Sequence, residues 1–417
     1  MEKTLRRGPL QDLLRRTKRF KRGRIRNRRV SLQRRLRRRK NLVPQLRVVI
    51  PPSFSILDDP ESNLAFISRF RSQLSAKMYR SVHFDHSGCK NLGMDAQAIV
   101  DVLVAEELAR RPNGIGIGGD FPRDARTNVM LRAIGTLRQF GHPEMKLAPE
   151  VESRIERCDR VNGNGHNLKY SSERDRAALA LVTYVERVLQ HQSFMLTFEG
   201  RSDLSSIITE VIGNAEEHSG RWYAVAFSQP GIVEQQGMPE PEECQMVLFN
   251  FGRSIYESLV SRGASTYVKE RISALANEHR HSRQFSDSWT EEDLWTLAAL
   301  QQGVSRYRTD EKGKTRGNGT IELIRAFSEL SDVPKKMCVV SGHTYILFDG
   351  SYKLRADSNG LQMIAFNTSN DLEKPPDPRY VRHLKHGFPG TIISMRFVMD
   401  SRYLESRIQS NGSSERN

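Results

Sequence analysis

The segment Glu210-Val-Ile-Gly-Asn214-Ala-Glu-Glu-His218-Ser-Gly220 decides the fold of the larger part of this chain. It places Glu210, Asn214 and His218 four residues apart, a spacing that puts side chains on one face of a helix. Apolar residues at helical spacing predict a second face that packs into a core; they are Leu204, Ile207, Ile208, Val211, Ile212 and Ala215. One face of this helix can therefore pack while the other borders a site.

The polar face of this helix has chemistry that suits phosphate cleavage. A carboxylate at Glu210 can polarise a water molecule, and the amide oxygen of Asn214 is a hard ligand of the kind that Mg²⁺ prefers. A solvated polar face that ends at a C-capping Gly220 would explain the same residues. The segments that follow in the chain favour the first interpretation.

Two later segments add positions that such a site would need. Residues 245–250 have the composition of a buried strand and run into Phe251-Gly252-Arg253-Ser254, where a small residue lets the backbone approach a ligand. Further along, Lys314-Thr-Arg316-Gly317-Asn318-Gly319-Thr320 precedes an apolar-periodic helix predicted over residues 321–330. Glycine amides and a helix N-terminus can together bind phosphate there.

A fourth segment, Phe388-Pro389-Gly390-Thr391, opens a predicted strand whose apolar residues Ile393, Met395 and Phe397 would share one side. In this order the four segments resemble the GHKL ATPase superfamily, the group of gyrase, Hsp90, histidine kinases and MutL. The resemblance covers roughly residues 170–400. It implies ATP and Mg²⁺ as cofactors, Glu210 as the general base and Asn214 as the Mg²⁺ ligand.

The resemblance also implies a set of cofactor-binding positions, which are Asn214, His218, Asn250, Gly252, Ser254, Arg316, Gly317, Asn318, Gly319, Thr320, Gly390 and Thr391. The chain departs from the family at two of them. Asn250 stands where the family has an Asp that accepts from the adenine amino group, and Ser254 replaces the second glycine of that motif. An amide oxygen still accepts a hydrogen bond, but the position has lost its charge and the amide can flip.

The fold class implied is α/β, with a C-terminal Bergerat-type sandwich of a mixed sheet and helices on one face, over residues 171–400. Within it, residues 256–315 correspond to the ATP lid, and helices are predicted over residues 265–279 and 290–307. Core packing is the favoured role of the leucines and the tryptophan of the second helix. A lid of this size could also carry a regulatory protein partner or a homodimer contact.

A small α/β domain is predicted ahead of the ATP-binding part, over residues 48–150. The segment Val82-His-Phe-Asp85-His-Ser87-Gly-Cys-Lys-Asn-Leu-Gly-Met-Asp95 resembles the strand, Asp-x-Ser loop and helix of STAS domains, which pair with GHKL kinases in bacterial regulation. Residues 151–170, which include Asn162-Gly-Asn-Gly-His166, are predicted to be a linker. Residues 401–417 are predicted to be a polar C-terminal tail.

Charge is concentrated at one end of the chain. Residues 1–47 hold 16 Arg and 4 Lys against Glu2 and Asp12, a net charge of +18, whereas the other 370 residues carry a net charge of −2. Such an Arg-rich tail cannot bury much surface, so disorder is expected. Phosphate-driven, salt-sensitive contact with nucleic acid is one expectation for it, and a solubilising or protein-docking tail is the alternative.

The remaining composition points to a cytoplasmic protein. No run of about 18 apolar residues exists, so neither a membrane span nor a membrane partner is expected. No apolar stretch follows the basic residues, which argues against a secretory signal. Four scattered cysteines without paired spacing, Cys89, Cys158, Cys244 and Cys338, suit a reducing compartment.

Three functions follow as expectations. The first is an Mg²⁺-dependent ATPase whose nucleotide state controls the lid and a partner surface. The second is a GHKL-type protein kinase acting on a STAS-like partner; the helix predicted over residues 174–190 holds no phosphoacceptor histidine, which favours a serine acceptor such as Ser87 or a residue on another protein. The third is a non-catalytic nucleotide sensor or scaffold, which the departures at Asn250 and Ser254 would fit.

Overall fold

The computed structural model describes the chain from residue 44 onward with several gaps. The described residues are 44–76, 79–111, 114–135, 138, 146–163, 171–230, 242–262, 264–302, 304, 319–329, 335–357, 360–399 and 408–410. The chain divides into two compact units: the first contains Met1–Ser55 and Ala65–Pro149, and the second contains Ile56–Leu64 and Glu150–Asn417. Both contain helices and sheets, which confirms the α/β class.

The first unit is built on a three-stranded parallel sheet of order β1-β3-β5, formed by β1 (Gln45–Val49), β3 (Ser81–Asp85) and β5 (Gly116–Asp120). Alternate residues of β1 and β3 are buried, as the period of a strand requires. The other elements are the parallel pair β2 (Ser53–Phe54) and β4 (Asn91–Leu92) and the helices α1 (Pro60–Ser75), α2 (Met94–Arg110) and α3 (Ala125–Ile134). The boundary between the two units falls within α1.

Helix α2 is buried on almost every side, since its sequence is rich in alanine, valine, isoleucine and leucine. Its polar residues bond to one another, and Gln97 donates to Asp101 at 2.8 Å. Helix α3 begins at an N-cap, Asp124, whose carboxylate accepts from the Thr127 amide at 2.8 Å. Apart from the short strands β2 and β4, the elements of the first unit follow the order β-α-β-α-β-α.

The second unit is built on a five-stranded antiparallel sheet of order β10-β13-β9-β8-β6. Its strands are β6 (Glu156–Gly163), β8 (Ser219–Pro230), β9 (Glu242–Gly252), β10 (Lys336–Phe348) and β13 (Val381–Met399). The short helix α4 (Pro149–Glu152) precedes β6, and two small pairs join β7 (Phe194–Leu196) with β14 (Ile408–Ser410) and β11 (Arg355–Ala356) with β12 (Gln362–Met363).

Three helices lie on one face of this sheet: α5 (Ser171–His191), α6 (Phe198–His218) and α10 (Gly319–Glu329). Helix α6 packs against both of the others and against β8 and β9. Its apolar stripe enters the core as predicted, with Ile208, Ile212 and Ala215 buried. The sequence therefore predicted this helix and its inward face correctly.

The insert between β9 and α10 contains α7 (Ile255–Val260), α8 (Thr266–His281) and α9 (Glu291–Ala299). These helices have a small core of their own, formed by Leu259, Val268, Ile272, Trp295 and Ala298. Core packing of the apolar residues in this insert is thus confirmed for Trp295. Helix α9 is shorter than the predicted 290–307 because it ends at a C-cap, Leu300, before two glutamines, and residues 305–318 lie outside the described part of the chain.

The sheet of the second unit corrects the predicted mixed arrangement, because all its described pairs are antiparallel. The eleven residues between β8 and β9 are fewer than a parallel crossover needs. Strand β13 also begins earlier than the predicted residue 388, at Val381, since its first half is mostly polar and carries little hydrophobic signal.

Several predicted boundaries differ from the structure. Strand β1 begins at Gln45, inside the predicted tail of residues 1–47, and Arg47 pairs with Asp85 at 2.7 Å; residues 1–43 lie outside the described part. Strand β6 replaces part of the predicted linker of residues 151–170, because an edge strand with few inward apolar side chains resembles a loop in sequence. Of the predicted C-terminal tail, residues 408–410 form β14.

The segment Ile56–Leu64 belongs with the second unit, although the predicted first domain included it. Arg396 of β13 makes a two-pronged ion pair with Asp58, at 2.7 and 2.8 Å, and the Tyr345 hydroxyl of β10 donates to the Leu57 carbonyl at 3.0 Å. Such contacts link residues far apart in sequence, so no local pattern could predict them. Among the described helices, none combines the length and the apolar composition that crossing a membrane requires.

Replacing Gly390 with alanine is expected to destabilise the second unit. Gly390 has φ +140°, and a Cβ at this position would overlap the carbonyl oxygen of Asn250 on β9. Strain and overlap together predict a loss of roughly 2 kcal/mol or more in the free energy of unfolding, measured by urea denaturation. Gly213→Ala is the matched control, because its Cβ would approach only the flexible end of Arg174 within a helix. Equal stability of both variants would contradict the close approach of β13 to β9.

Candidate functional site

A polar row crosses three neighbouring strands of the antiparallel sheet. Asn250 of β9 stands opposite Thr391 of β13, and Thr391 stands opposite Ser341 of β10. Directly opposed residues share a face of the sheet. The Ser341 and Thr391 hydroxyls are hydrogen-bonded at 2.9 Å, and Ser341 also accepts from the Ile255 amide at 2.8 Å. The row thus joins the sheet to the first residue of α7.

An apolar row lies two residues deeper on the same strands. Leu248 of β9 pairs with Ile393 of β13, which pairs with Val339 of β10. The polar and apolar rows lie under an open cavity. Its lining is completed by the helices around it, with Val211, Asn214 and Ala215 from α6, Thr320 from α10, and Arg253, Ile255 and Leu300 from the insert. The cavity has an apolar floor and a polar rim, a combination typical of small-molecule sites.

Asn250 is the most unusual side chain of the cavity. It is 4 % exposed, and its amide nitrogen has no hydrogen-bond partner among the residues that the structure describes. A buried donor without a partner costs roughly 1–3 kcal/mol, and such groups are rare in folded proteins. A ligand that supplies the missing hydrogen bond is one physical reason to keep an amide at this position.

Asn214 and Thr391 are half-buried and line the cavity together with Asn250 and Thr320. Four of the predicted site residues, from four different elements, are therefore brought together. Gly390, the residue before Thr391, allows the close approach of β13 that sets Thr391 beside Asn250. Gly252 is exposed at the end of β9.

Ser254 has a structural role that its sequence position did not predict. It is buried and forms the N-cap of α7, where its hydroxyl accepts from the Glu257 amide at 3.1 Å. The Glu257 carboxylate in turn accepts from the Ser254 amide at 2.8 Å. This capping box fixes the start of the insert, and the Ser254 side chain does not line the cavity.

Glu210 lies one turn before Asn214 on α6 and is half-buried. Glu210 is not among the described residues that line the cavity. His218 is the last residue of α6, and Gly319 is the first residue of α10. The surroundings of both residues are outside what the structure describes. Three further predicted positions, Arg316, Gly317 and Asn318, lie outside the described residues altogether.

Arg253 lines the cavity and was not predicted as a site residue. It is exposed, and it forms no ion pair with any residue that the structure describes. Its place directly before a helix cap could have identified it, since that position lies beside the backbone turn at the end of β9. A guanidinium here provides positive charge at the rim.

The residues present fit a nucleotide and Mg²⁺ at the level of donor chemistry. Asn214 offers an amide oxygen, which suits Mg²⁺, and the ion commonly takes its other ligands from phosphates and water. Within the described residues, no group of three His, Cys, Asp or Glu side chains could hold a metal alone. A Mg²⁺ at this cavity would therefore depend on the phosphates of its ligand.

The Asp-x-Ser loop of the first unit has a defined hydrogen-bond pattern. The Ser87 hydroxyl donates to the Asp85 carboxylate at 2.6 Å, and the Ser87 amide donates to the same carboxylate at 3.1 Å. The hydrogen bond from the Ser87 hydroxyl, followed by that from Arg47, holds the pKa of Asp85 well below its ordinary value. Ser87 is half-exposed in this loop.

No protein-family model, curated protein or solved structure matches the chain. The candidate function is therefore inferred from the geometry and chemistry of the cavity.

Asn250→Leu is expected to stabilise the protein measured without ligand. Leucine has a similar size and removes the unpartnered amide, so the free energy of unfolding should rise by roughly 1 kcal/mol in urea denaturation. Gln301→Leu is the contrasting variant, because the buried Gln301 amide bonds to Leu297 and Ile364 at 2.6 and 2.8 Å. That change should destabilise by roughly 2 kcal/mol. A loss of stability in Asn250→Leu as large as that in Gln301→Leu would mean that Asn250 is a satisfied structural residue.

Proposed function

We propose that the chain is an ATP-binding protein of the GHKL type, an Mg²⁺-dependent ATPase whose nucleotide state controls the insert and a partner surface. The observation that carries this proposal is the buried amide nitrogen of Asn250, which has no hydrogen-bond partner among the described residues, in a cavity that also presents Asn214, Thr320 and Thr391. Each of these residues belongs to a motif that suggested nucleotide chemistry in the sequence.

The base end of the proposed nucleotide lies against the sheet. The apolar row of Leu248, Ile393 and Val339 offers a surface for the faces of a purine ring. Asn250, at the polar rim above it, offers both a donor and an acceptor to the ring edge. Thr391 can donate as well, when its hydroxyl accepts from Ser341.

The phosphate end lies toward α6 and α10 in this proposal. Thr320 follows the first residue of α10, and the N-terminus of an eleven-residue helix carries amide donors and a partial positive charge. Arg253 adds a full positive charge at the rim. Asn214 would hold Mg²⁺, which when bound neutralises phosphate charge and favours displacement at phosphorus.

Glu210 is the proposed general base. Its position one turn before Asn214 puts its carboxylate on the same face of α6. A carboxylate that orients and deprotonates a water molecule contributes about 10²–10⁴ in rate. The insert senses the ligand directly in this proposal, because Ile255 and Leu300 line the cavity. A change in the position of α7–α9 would then alter the surface of this chain that contacts a regulatory protein partner or a second copy in a homodimer.

Glu210→Gln is expected to separate turnover from binding. Glutamine retains the shape of Glu210 but cannot take a proton, so phosphate release from ATP should fall by about 10² or more. Binding of an ATP analogue with Mg²⁺, measured by calorimetry, should persist. Glu217→Gln, on an exposed position of the same helix, is the control and should retain full turnover. Equal turnover in wild type and Glu210→Gln would remove Glu210 from the proposal.

The same assay with γ-labelled ATP distinguishes the alternatives. A protein serine kinase is favoured by one observation, the half-exposed Ser87 hydroxyl bonded to a carboxylate at 2.6 Å. That function predicts covalent label on the protein, lost in Ser87→Ala when the acceptor is internal. Nucleotide binding with neither free phosphate nor label would instead identify a sensor or scaffold.

The Arg-rich segment of residues 1–47 is proposed to contact nucleic acid. Its net charge of +18 would act mainly on phosphates, so binding should weaken steeply as salt increases. Deleting residues 1–40 is expected to abolish this salt-sensitive binding, measured by fluorescence anisotropy with a labelled oligonucleotide. Unchanged affinity in the truncated protein would assign the segment to another role.

A further inference from the structure

Asn250, the residue that would contact the base in the proposed site, has a side-chain amide with two different hydrogen-bonding groups. Its oxygen accepts hydrogen bonds and its nitrogen donates them, and a half-turn about the last side-chain bond exchanges the two. What fixes the orientation of a buried Asn is therefore the set of protein groups that bond to it.

Other buried or half-buried amides in the second unit are fixed in this way. The Asn370 oxygen accepts from the Ala365 amide at 2.8 Å, and its nitrogen donates to the Met363 carbonyl at 3.2 Å. Gln301 is likewise held at both ends. For these residues a half-turn would replace hydrogen bonds with repulsive contacts.

Asn250 has no such constraint. Its side-chain amide makes no hydrogen bond to any described residue, although it is only 4 % exposed. Its cross-strand neighbours are Trp222 on β8 and Thr391 on β13. The Trp222 ring nitrogen donates to Glu216 at 3.3 Å, and the Thr391 hydroxyl is bonded to Ser341 at 2.9 Å. Among the described residues, no hydrogen bond therefore fixes the orientation of the Asn250 amide.

We propose that the base subsite accepts a 6-oxo purine as well as a 6-amino purine, through the two orientations of the Asn250 amide. This inference rests on the proposed nucleotide site. A 6-amino purine donates at C6 and accepts at N1, whereas a 6-oxo purine accepts at C6 and donates at N1. One orientation of the amide pairs with the first edge, and the flipped orientation pairs with the second. Asn250 thus determines which purines bind.

A carboxylate at the same position would behave differently. An ionised Asp has acceptors only, so it would accept from the 6-amino group of one purine or from N1–H of the other, and in both cases it would face the remaining acceptor of the edge with like charge. A polar group left unpaired in this way weakens binding. The amide, by contrast, can pair with both positions of either purine edge.

Competition between ATP and inosine triphosphate on the full chain tests this inference. Inosine triphosphate is the probe because it differs from ATP only at the C6–N1 edge, whereas GTP adds an amino group at C2. In wild type the two dissociation constants should agree within about threefold, because both edges find partners. Cytidine triphosphate, which lacks the second ring, serves as the control for binding through phosphates alone.

The variant Asn250→Asp should weaken both purine nucleotides. We expect the affinities for ATP and for inosine triphosphate to fall by about tenfold or more relative to cytidine triphosphate, because N1 of the one and the C6 oxygen of the other each lose a donor. Asn277→Asp is the matched control, since it makes the same substitution on an exposed position of α8 outside the cavity. Its affinities for the two purine nucleotides relative to cytidine triphosphate should equal those of wild type.

The outcomes separate the two proposals. If ATP binds the wild-type protein at least tenfold more tightly than inosine triphosphate, the proposed dual selectivity is wrong, whereas the proposed nucleotide site is unaffected. This comparison uses the wild-type protein alone and so does not depend on the folding of a variant. If a folded Asn250→Asp protein keeps the wild-type affinities for both purine nucleotides relative to cytidine triphosphate, Asn250 does not contact the base. If neither purine nucleotide binds better than cytidine triphosphate, the base subsite itself is overturned, and with it this inference.

Discussion

The pairing of β9 with β13 is the interaction on which the candidate site depends. It sets Asn250 opposite Thr391 and Leu248 opposite Ile393, so one register fixes both the polar rim and the apolar floor of the cavity. A shift of β13 by one residue would turn both Thr391 and Ile393 to the other face of the sheet. Gly390 permits the close approach of the two strands at the level of the site. The register of the backbone pairing therefore fixes the positions of these four side chains.

The cavity has a cost that the rest of the second unit offsets. A buried amide nitrogen without a partner among the described residues and an open space between helices both reduce stability. Around them, the sheet face and helices α5, α6 and α10 bury a continuous set of large apolar side chains, including Trp222, Phe327 and Tyr184. The insert contributes its own small core around Trp295. Such rigid surroundings allow a polar group to remain without a protein partner, and this is the condition that a preformed binding site requires.

The sequence predicted the elements with strong periodicity and missed the elements held by distant contacts. Helix α6 and strand β9 were predicted because their apolar residues recur with periods of a helix and a buried strand. Strand β6 was missed because it is a polar edge strand, stabilised by pairing with β8 rather than by its own composition. The placement of residues 56–64 with the second unit depends on ion pairs and hydrogen bonds to residues more than 280 positions away, such as Asp58 with Arg396. No local pattern encodes these.

Ser254 and Asn250, at which the sequence departs from the GHKL pattern that it resembles, have different surroundings in the structure, which the sequence alone did not reveal. At Ser254 the substituted side chain is fully used by the protein, because it caps α7 and closes a capping box with Glu257. At Asn250 the substituted side chain is buried in the cavity wall and bonds to no described residue. The first change fits a requirement of folding, since an insert that begins with a helix needs a cap. The second makes no such contact with the described residues, which supports the proposed role in ligand binding. A difference from a motif is therefore best interpreted by the hydrogen bonds that the side chain makes, and here those bonds separate a structural serine from an asparagine that is proposed to contact the ligand.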